Sequence, residues 1–405
     1  MTGVKTRGEE MLALRRARMA SSPPVLRGGF RPFFAGGAAW AVIALTLWLL
    51  SLLGGLTLPS AFDPLAWHRH EMLFGFVGAI IAGFLLTAIP NWTGRLPIAG
   101  LPLAALFGLW VSGRLALHCS ERIGILAAAV LDVGFYFVFA FIAGREVLAA
   151  KNRNVPIVVL VLLFGIASAV DYAGAVGWIN DTEAGFRAGI ALVIVMISVI
   201  GGRIIPSFTR NWMVKQGLKE GLPGQPSRFD LATIGITGLG LILWLLAPFA
   251  ALTGWVIALA GLLQLVRLSR WSGWKTLADP LVSVLHVGYL WVPVGLLLLA
   301  WSILGVDMPR TVAIHALTAG AMASMNLAVM TRATLGHTGR ELKAGTGSVA
   351  IYLLVTVGAA LRVGAGLGLI GYRVGIEGAG ALWMGAFLLF LLIYGPFLFR
   401  ARPGG

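Results

Sequence analysis

Long uninterrupted apolar runs are the feature of this chain that most limits its fold. The first follows Pro32, and comparable runs recur to the carboxyl end of the 405-residue sequence. A helix needs ~20 predominantly apolar residues to cross a bilayer, whereas a soluble core does not need runs of this length. Because 58% of the residues are apolar and 12% are charged, the composition also indicates a protein that crosses the bilayer many times.

Twelve of these runs are long enough to be transmembrane helices. They are continuous and lack the alternating ~10-residue segments of a barrel wall, so we predict an all-α polytopic membrane protein. We expect a basic tail at 1–32, a twelve-helix transmembrane domain at 33–400 and a short tail at 401–405. The predicted spans, to within ~4 residues, are 33–55, 72–90, 97–117, 123–144, 155–178, 184–205, 230–248, 250–267, 280–304, 311–331, 348–371 and 379–400.

Basic residues collect in the amino-terminal tail, where Lys5 is the first, and in every second loop after it. The intervening loops are short and contain acidic residues such as Asp63 and Asp181. This asymmetry predicts that both termini are cytoplasmic. It also accounts for the formal net charge of +15. We expect most of these residues to be surface anchors at the lipid headgroups, and no binding to nucleic acid, because they form no patch with interleaved aromatic residues.

The second, sixth and tenth spans end in similar sequences. The second ends in Pro90-Asn91-Trp92-Thr93, the sixth in Pro206-Ser207-Phe208-Thr209 and the tenth in Met330-Thr331-Arg332. Because the pattern recurs every fourth span, it favours three four-helix units. The preference of Pro, Asn, Thr and Arg for helix ends at an interface explains the pattern equally well.

Histidine is the residue type most able to carry chemistry inside these helices, because an ionisable group within a membrane needs a partner, a cavity or a metal. The predicted topology sorts the histidines into two groups on opposite sides of the ~30 Å hydrocarbon core. The outer group is His68, His70 and His315, and the inner group is His286 and His337. His118 has no partner in the sequence pattern, and we interpret it as a surface residue.

Each group has a functional and a structural interpretation. His70 and His315, at equal depth, would supply the two axial nitrogens of a b-type haem, but polar packing or a proton relay is an alternative. His286 and His337 would form an inner centre or be satisfied interfacial histidines. Arg203, near the end of the sixth span, would bind a haem propionate or a lipid headgroup, or extend to the interface.

Two carboxylates and one thiol complete the candidate residues. Asp132 and Asp171 lie well within the fourth and fifth spans, where they would be proton-path residues or buried carboxylates facing an arginine. Cys119 is the only cysteine, which excludes a disulfide within the chain, a zinc ribbon, an iron–sulfur cluster and c-type haem attachment. Any metal must therefore use histidine, methionine or carboxylate ligands.

Several motifs, in order along nearly the whole chain, resemble those of the NnrS family of bacterial inner-membrane proteins. They include Gly29-Phe30-Arg31-Pro32-Phe33-Phe34, Trp67-His68-Arg69-His70-Glu71-Met72, Gly83-Phe84-Leu85-Leu86-Thr87-Ala88-Ile89-Pro90-Asn91-Trp92-Thr93, Gly201-Gly202-Arg203-Ile204-Ile205-Pro206, His286-Val287-Gly288-Tyr289, His315-Ala316-Leu317-Thr318 and Gly336-His337-Thr338-Gly339-Arg340. The resemblance implies a haem- and copper-containing protein linked to nitric oxide metabolism or tolerance, usually alongside denitrification. It implies His68, His70, His286, His315 and His337 as metal ligands.

The chain is also distantly similar to the catalytic subunit of haem-copper oxidases and nitric-oxide reductases, which has twelve helices in three groups of four. In those proteins haem ligands lie on the second and tenth helices, as His70 and His315 do here. The sixth and seventh spans contain no histidine, so the three-histidine metal site of those enzymes is absent from the sequence. We expect copper, where bound, to use His68 or methionines such as Met322 and Met325.

These observations predict a haem-binding inner-membrane protein of nitric oxide metabolism or nitrosative-stress tolerance. With one or two b-type haems it would bind nitric oxide or another diatomic ligand, or transfer electrons from quinol or another donor. With turnover it would be a nitric oxide-related oxidoreductase. The alternatives are a transporter for haem, metal or an anion, and an assembly factor, each using the same histidines.

Overall fold

Helices account for all the regular structure in the part of the chain described by the computed structural model, which is residues 7–305 and 307–402. Lys5 and the last three residues of the predicted 401–405 tail lie outside that part. Twelve described helices are long and apolar enough to cross a membrane, which confirms the predicted fold class. They are Phe30–Leu52, Pro64–Thr93, Leu101–His118, Ile125–Ala149, Val155–Ala175, Ala184–Lys215, Arg228–Leu246, Ala251–Ser269, Pro280–Leu304, Arg310–His337, Thr346–Gly366 and Tyr372–Phe399, which we number as spans one to twelve.

Four spans are longer than predicted by more than the ~4 residues allowed for their bounds. The second is Pro64–Thr93, the sixth Ala184–Lys215, the tenth Arg310–His337 and the twelfth Tyr372–Phe399, with 30, 32, 28 and 28 residues. The apolar run defines the part of a helix that lipid surrounds, but the backbone stays helical into the polar residues at its ends. The predicted bounds 72–90, 184–205, 311–331 and 379–400 were therefore too short.

Capping residues explain where several spans begin. Asp63 precedes Pro64, and its carboxylate accepts hydrogen bonds of 3.0 Å from the backbone N–H groups of Leu65 and Ala66. Asp279 precedes Pro280 and caps the ninth span in the same way. The side chain satisfies otherwise unpaired N–H groups, and proline suits the first helical turn because it lacks one.

Three segments of π-helix interrupt the spans, and they lie in the second, sixth and tenth. They are Glu71–Val77, Ile197–Gly201 and Ala316–Met322. A π-helical turn is wider than an α-helical turn, is rare, and is frequently found at functional sites. The same three spans share the end motifs described above, so sequence and backbone both distinguish them from the other nine.

The described chain divides into two compact units, which we treat separately. The first is Met1–Phe186 with Ala333–Arg340 and Leu391–Gly405; the second is Arg187–Arg332 with Glu341–Phe390. One core cluster of the first unit packs Trp67 and Phe62 against Leu117 and Tyr172. A cluster of the second unit packs Val312 and Ala316 against Val363. The first cluster surrounds the start of the second span, where His68 and His70 lie.

Arg31 shows how the first unit is joined to the end of the chain. The sequence places it in the basic tail, but it lies in the first turn of the first span and is buried. Its Nη1 donates to the carbonyls of Phe397, Leu398 and Arg400 at 3.2, 2.8 and 2.8 Å. The last carbonyls of a helix have no partner within the helix, so Arg31 caps the twelfth span. Its interpretation as a surface anchor was wrong.

Candidate functional site

His70 lies at the centre of a buried polar cluster in the first unit. Its Nδ1 lies 2.8 Å from Oδ2 of Asp171, and its Nε2 lies 2.6 Å from Oδ2 of Asp132. The three residues come from the second, fourth and fifth spans, and each is at most 5% exposed. The sequence predicted a buried imidazole and two buried carboxylates, but it did not predict that they meet.

Arg114 of the third span completes the cluster. Its Nη1 lies 2.6 Å from Oε2 of Glu71, and its Nη2 forms an ion pair with Oδ1 of Asp132. The indole of Trp40 donates to the same Glu71 oxygen at 2.6 Å. Buried charges persist in a membrane only when they are paired and hydrogen-bonded. We call Glu71, His70, Arg114, Asp132 and Asp171 the buried charge cluster.

The cluster contains more negative than positive formal charge. Three carboxylates face one guanidinium, and each ring nitrogen of His70 faces a carboxylate oxygen. A neutral imidazole has a single N–H, and carboxylates only accept hydrogen bonds. The two contacts of His70 therefore hold two protons, on an imidazolium or shared with a carboxylic acid. In addition, Oε1 of Glu71 and Nε of Arg114 are buried without hydrogen-bond partners.

Aromatic rings enclose His70 on its remaining sides. The ring centroids of Tyr172, Phe74 and Phe62 lie 4.8, 4.9 and 5.5 Å from that of His70. Tyr172 also donates from its hydroxyl to Oδ2 of Asp132 at 3.2 Å. With both nitrogens hydrogen-bonded and rings packed around it, His70 presents no open coordination position. Iron at His70 would require one of the two carboxylates to move away.

The π-helical segment after His70 is stabilised by side chains of other spans. Tyr136 donates to the carbonyl of Phe74, and Trp110 donates to the carbonyl of Gly75 at 3.0 Å. A π-helical turn shifts the backbone hydrogen bonds of its helix, so external donors to its carbonyls stabilise the distorted form. These contacts keep Glu71 and His70 directed toward Arg114 and Asp132.

His68 has different surroundings from His70. It is half-buried, and its ring stacks on Trp48 with a centroid distance of 4.6 Å and an interplanar angle of 14°. Because the helix begins at Pro64, both histidines are helical, and residues two apart point to different sides. The helix thus begins before the predicted bound of 72, and His70 faces the interior.

A second buried network surrounds the π-helical segment of the sixth span. Arg267 forms a 2.9 Å ion pair with Asp230 and donates to the carbonyl of Ser198 at 2.9 Å and the hydroxyl of Tyr289 at 3.0 Å. Tyr289 in turn donates to Gln264 at 2.7 Å. The charge of Arg267 is thus compensated inside the second unit. Arg267 is therefore not one of the surface anchors expected for most basic residues of the chain.

His286 lies near this network and is buried. Its Nε2 lies 2.8 Å from the Thr209 hydroxyl, and its Nδ1 is buried without a hydrogen-bond partner. A Cβ at Gly273 would lie 2.5 Å from that Nδ1, so backbone packs against the unbonded side of the ring. Thr209 lies in the end motif of the sixth span, which is similar to the end motifs of the second and tenth spans of this chain. The close backbone leaves no space for a porphyrin at Nδ1.

His337 and Arg203 are both exposed. His337 is the last residue of the helix Ala323–His337, and its ring centroid lies 5.5 Å from that of Phe30. The prediction that His337 lies in a loop beyond the tenth span was wrong, since the helix continues to it. Arg203 lies in the sixth span, directly after the π-helical segment.

His315 has one ring nitrogen hydrogen-bonded within its own helix. It is half-buried at the start of the tenth span, directly before the π-helical segment Ala316–Met322. Its Nδ1 lies 2.6 Å from the carbonyl of Thr311. Because a carbonyl can only accept, Nδ1 carries the proton and Nε2 keeps its lone pair. Metal-binding imidazoles commonly have this second hydrogen bond, which fixes the tautomer and the ring.

Arg362 of the eleventh span supplies a cation beside His315. The guanidinium lies within electrostatic range of the imidazole, and its Nη1 is buried without a hydrogen-bond partner. That Nη1 lies 3.6 Å from the position of a Cβ on Gly366, where Val312 also packs. A carboxylate is the group that suits such a guanidinium best. Arg362 was not among the residues predicted from sequence, although an arginine inside an apolar span was a visible signal.

The predicted ligand pairs are divided between the two units. His70 and His337 belong to the first, whereas His315 and His286 belong to the second. The haem pairings of His70 with His315 and of His286 with His337 therefore stay predictions. Among residues 7–305 and 307–402, no group of three or more His, Cys, Asp or Glu side chains is arranged to hold a metal ion.

The comparison with protein families covers almost the whole structure. The model of the family described as NnrS protein matches residues 24–402, which include all twelve spans and every candidate histidine. The chain belongs to the NnrS family. A search of curated proteins found no match to this chain. Within this NnrS protein, the buried charge cluster and the His315–Arg362 neighbourhood are the two places best suited to chemistry.

Proposed function

We propose that this NnrS-family protein binds b-type haem and acts in nitric oxide metabolism or nitrosative-stress tolerance in the bacterial inner membrane. Family membership supports the association with nitric oxide. The observation that carries the haem proposal is His315, whose Nδ1 donates to the carbonyl of Thr311 while its Nε2 keeps a lone pair. Haem iron is bound by such imidazole nitrogens.

Arg362 supports haem over a bare metal ion at His315. A b-type haem has two propionate groups, and a guanidinium matches a carboxylate with paired hydrogen bonds. The buried Nη1 of Arg362 is without a hydrogen-bond partner, and burial of an unpaired donor is costly. A haem bound at His315 would supply iron that binds nitric oxide or carries an electron. Quinol or another membrane-soluble reductant is the donor we propose for that electron.

Copper has weaker support. Its preferred ligands are imidazole, thiolate and thioether groups converging on one point. Met322 and Met325 are buried in the tenth span, but a Cβ at Gly288 would lie only 3.1 Å from Sδ of Met325, so this thioether packs closely against the ninth span. No described group of three His, Cys, Asp or Glu residues could hold the ion. We therefore assign copper to no particular residues.

Haem content of purified variants tests the proposal. Substituting His315→Ala should remove at least one haem per chain and its low-spin absorption bands, because the iron loses an axial ligand. His118→Ala is the control, since that ring packs against Trp67 at 6.1 Å outside both candidate sites. Full haem content and an unchanged spectrum in His315→Ala would refute His315 as a ligand.

The same experiment separates one haem from two. If His286 contributes to an inner haem, His286→Ala should lower the haem content to about half and spare the signal of His315. The contacts of His286 with Thr209 and Gly273 favour a packing role instead, which predicts an unchanged haem content. One haem per chain in both wild type and His286→Ala would refute the two-haem prediction.

A proton-coupled transporter is the second candidate function. The buried charge cluster favours it, because ionisable residues that share protons inside a membrane are typical of proton-coupled carriers. In this cluster the two contacts of His70 with Asp132 and Asp171 hold two protons, which such a carrier could exchange. Transport of haem, a metal or an anion would then require this cluster and not haem bound at His315.

Reconstituted vesicles distinguish the two functions. A transporter should exchange substrate and move protons in haem-depleted protein, and Asp171→Asn should abolish both. The haem proposal instead predicts that Asp171→Asn keeps the spectrum of the His315 haem. Substrate counterflow that persists without haem would favour transport over redox chemistry.

A further inference from the structure

A cavity of 520 Å³ lies in the first unit, at the end of the bundle where the second and fourth spans end and the third begins. Its volume falls within the ~300–1,000 Å³ typical of ligand sites. The cavity is far from His70, because His70 lies near the start of the second span at Pro64 and the cavity begins beyond the last residue of that span, Thr93. None of the functions considered above uses it.

Charged residues form one side of this cavity. Arg95 pairs through Nε with Oε2 of Glu146, and Arg145 pairs with Oε1 of Glu146 at 2.8 Å. Two guanidinium groups thus share one carboxylate, which leaves a net positive charge. The ion pair of Arg95 uses Nε, so its two Nη groups can donate to a further anion. The side chain of Arg145 is 61% exposed and lines the same cavity.

Apolar residues form the rest of the wall. They include Leu96, Ile98 and Pro102, and Met11 of the amino-terminal helix Arg7–Ala20 closes one side. Apolar walls contribute no binding energy to an inorganic anion. An amphiphile with an anionic headgroup, in contrast, can contact the basic side with its headgroup and the apolar side with its hydrocarbon part. Pro102 also lies in the first turn of the third span, whose N-terminal dipole attracts negative charge.

The backbone around the cavity is held in place. Gly94 adopts a left-handed conformation with φ of 67° and ends the second span, and Gly100 with φ of 67° precedes the third. Only glycine adopts this conformation at little cost. The side chain of Asn152 donates to the carbonyl of Trp92 at 2.7 Å, and Thr93 accepts from the N–H of Arg95 at 3.2 Å. The site is therefore formed before a ligand arrives.

From these contacts we propose that the cavity binds the phosphodiester headgroup of an anionic phospholipid. Arg95 and Arg145 contact the phosphate, and the glycerol and the upper acyl chain lie on Leu96, Ile98 and Pro102. Basic pockets between transmembrane helices at the membrane boundary recognise lipids of this class. Glu146 orients the two arginines and at the same time competes with the phosphate for them.

Native mass spectrometry of the full-length protein with added phosphatidylglycerol or phosphatidylcholine tests this proposal. Wild type should bind phosphatidylglycerol preferentially. Arg95→Gln and Arg145→Gln should each weaken that binding by about fivefold, since one basic residue near a membrane contributes ~1 kcal/mol. Glu146→Gln should bind as tightly as wild type or more tightly, because the competing carboxylate is gone. Arg145 is exposed enough that its substitution should leave folding intact.

Arg153→Gln is the matched control. Arg153 is an exposed arginine in the next loop at the same end of the bundle, outside the cavity, and its substitution removes the same charge. An equal loss of binding in Arg153→Gln would indicate general surface attraction and overturn the proposal. Wild-type binding in both Arg95→Gln and Arg145→Gln would also overturn it, as would a loss in Glu146→Gln equal to that of the arginine variants. Displacement of the bound lipid by millimolar inorganic phosphate, with no preference for phosphatidylglycerol, would identify a soluble anion as the ligand instead.

Discussion

Nε2 of His70 lies 2.6 Å from Oδ2 of Asp132, although the two residues lie on the second and fourth spans and both are buried. Asp132 also pairs with Arg114 through its other oxygen. One carboxylate therefore compensates two positively polarised groups from two other spans. The stability of the first unit should depend on that carboxylate more than on any surface ion pair.

Asp132→Asn tests this dependence. The substitution keeps the shape but leaves Arg114 and the proton on His70 with less compensating charge, and removing one partner of a buried pair costs ~3–5 kcal/mol. We expect a lower unfolding temperature in detergent and a lower yield of monodisperse protein. Glu377→Gln, which removes an exposed ion pair with Arg373, is the control and should change neither. A wild-type unfolding temperature for Asp132→Asn would contradict the contacts described here.

A close approach of the third and fourth spans brings Arg114 to Asp132. A Cβ at Gly113 would lie 2.9 Å from the Cα of Asp132, and this backbone contact cannot relax by rotation of a side chain. Gly113→Ala should therefore separate the spans and destabilise the protein by ~1–3 kcal/mol. Gly108→Ala in the same helix is the control, because no atom lies within 4 Å of its Cβ position.

Thermal unfolding of the two glycine variants gives opposite expectations. Gly108→Ala should be neutral or stabilising, since alanine favours a helix over glycine by up to ~1 kcal/mol. Gly113→Ala should lower the unfolding temperature. Equal shifts in the two variants would show that the close contact of the third and fourth spans does not stabilise the protein.

The number of spans could be predicted from sequence because lipid imposes a fixed apolar length on each helix. The bounds failed at the second, sixth, tenth and twelfth spans, where helices continue into polar residues such as His70, His337 and Arg373. The π-helical segments could not be predicted, because they depend on donors from other spans, such as Trp110 on the carbonyl of Gly75. Periodicity within one helix contains no information about those partners.

The sequence predicted several residues of the candidate site but not which of them contact one another. His70, Asp132 and Asp171 stood out because ionisable residues are rare within apolar runs. Arg114 and Arg267 were missed, since arginines near span ends are usually interfacial, and here each pairs with carboxylates from other spans. Which buried charges meet is decided by helix packing and not by spacing along the chain.

Arg362 provides a test of the haem site that does not alter the ligand itself. If its buried Nη1 pairs with a propionate, Arg362→Gln should weaken haem retention by about tenfold, because a charge-assisted hydrogen bond contributes ~1.5–3 kcal/mol. The bands of the remaining haem should keep their positions, since His315 is unchanged. Arg373→Gln, which alters an exposed arginine of the twelfth span, is the control.

Haem release measured by transfer to an apo-acceptor protein gives the rates for these variants. Faster release from Arg362→Gln alone would support the propionate contact. Equal rates in wild type, Arg362→Gln and Arg373→Gln would place the haem away from Arg362 and would remove the main argument for choosing haem over a bare metal ion at His315.

The orientation of the chain in the membrane is the last prediction. Basic residues in alternate loops, and an even number of spans, predict that both termini lie in the cytoplasm. A fluorescent reporter fused after Arg402 should therefore be active, and alkaline phosphatase inserted near Asp181, between the fifth and sixth spans, should be active in the periplasm. An insertion near Arg153, between the fourth and fifth spans, is the matched control and should give no phosphatase activity. Periplasmic activity at Arg153 together with none at Asp181 would invert the topology, and His70 and His315 would then lie on the cytoplasmic side, where a haem would receive its electrons from a different compartment.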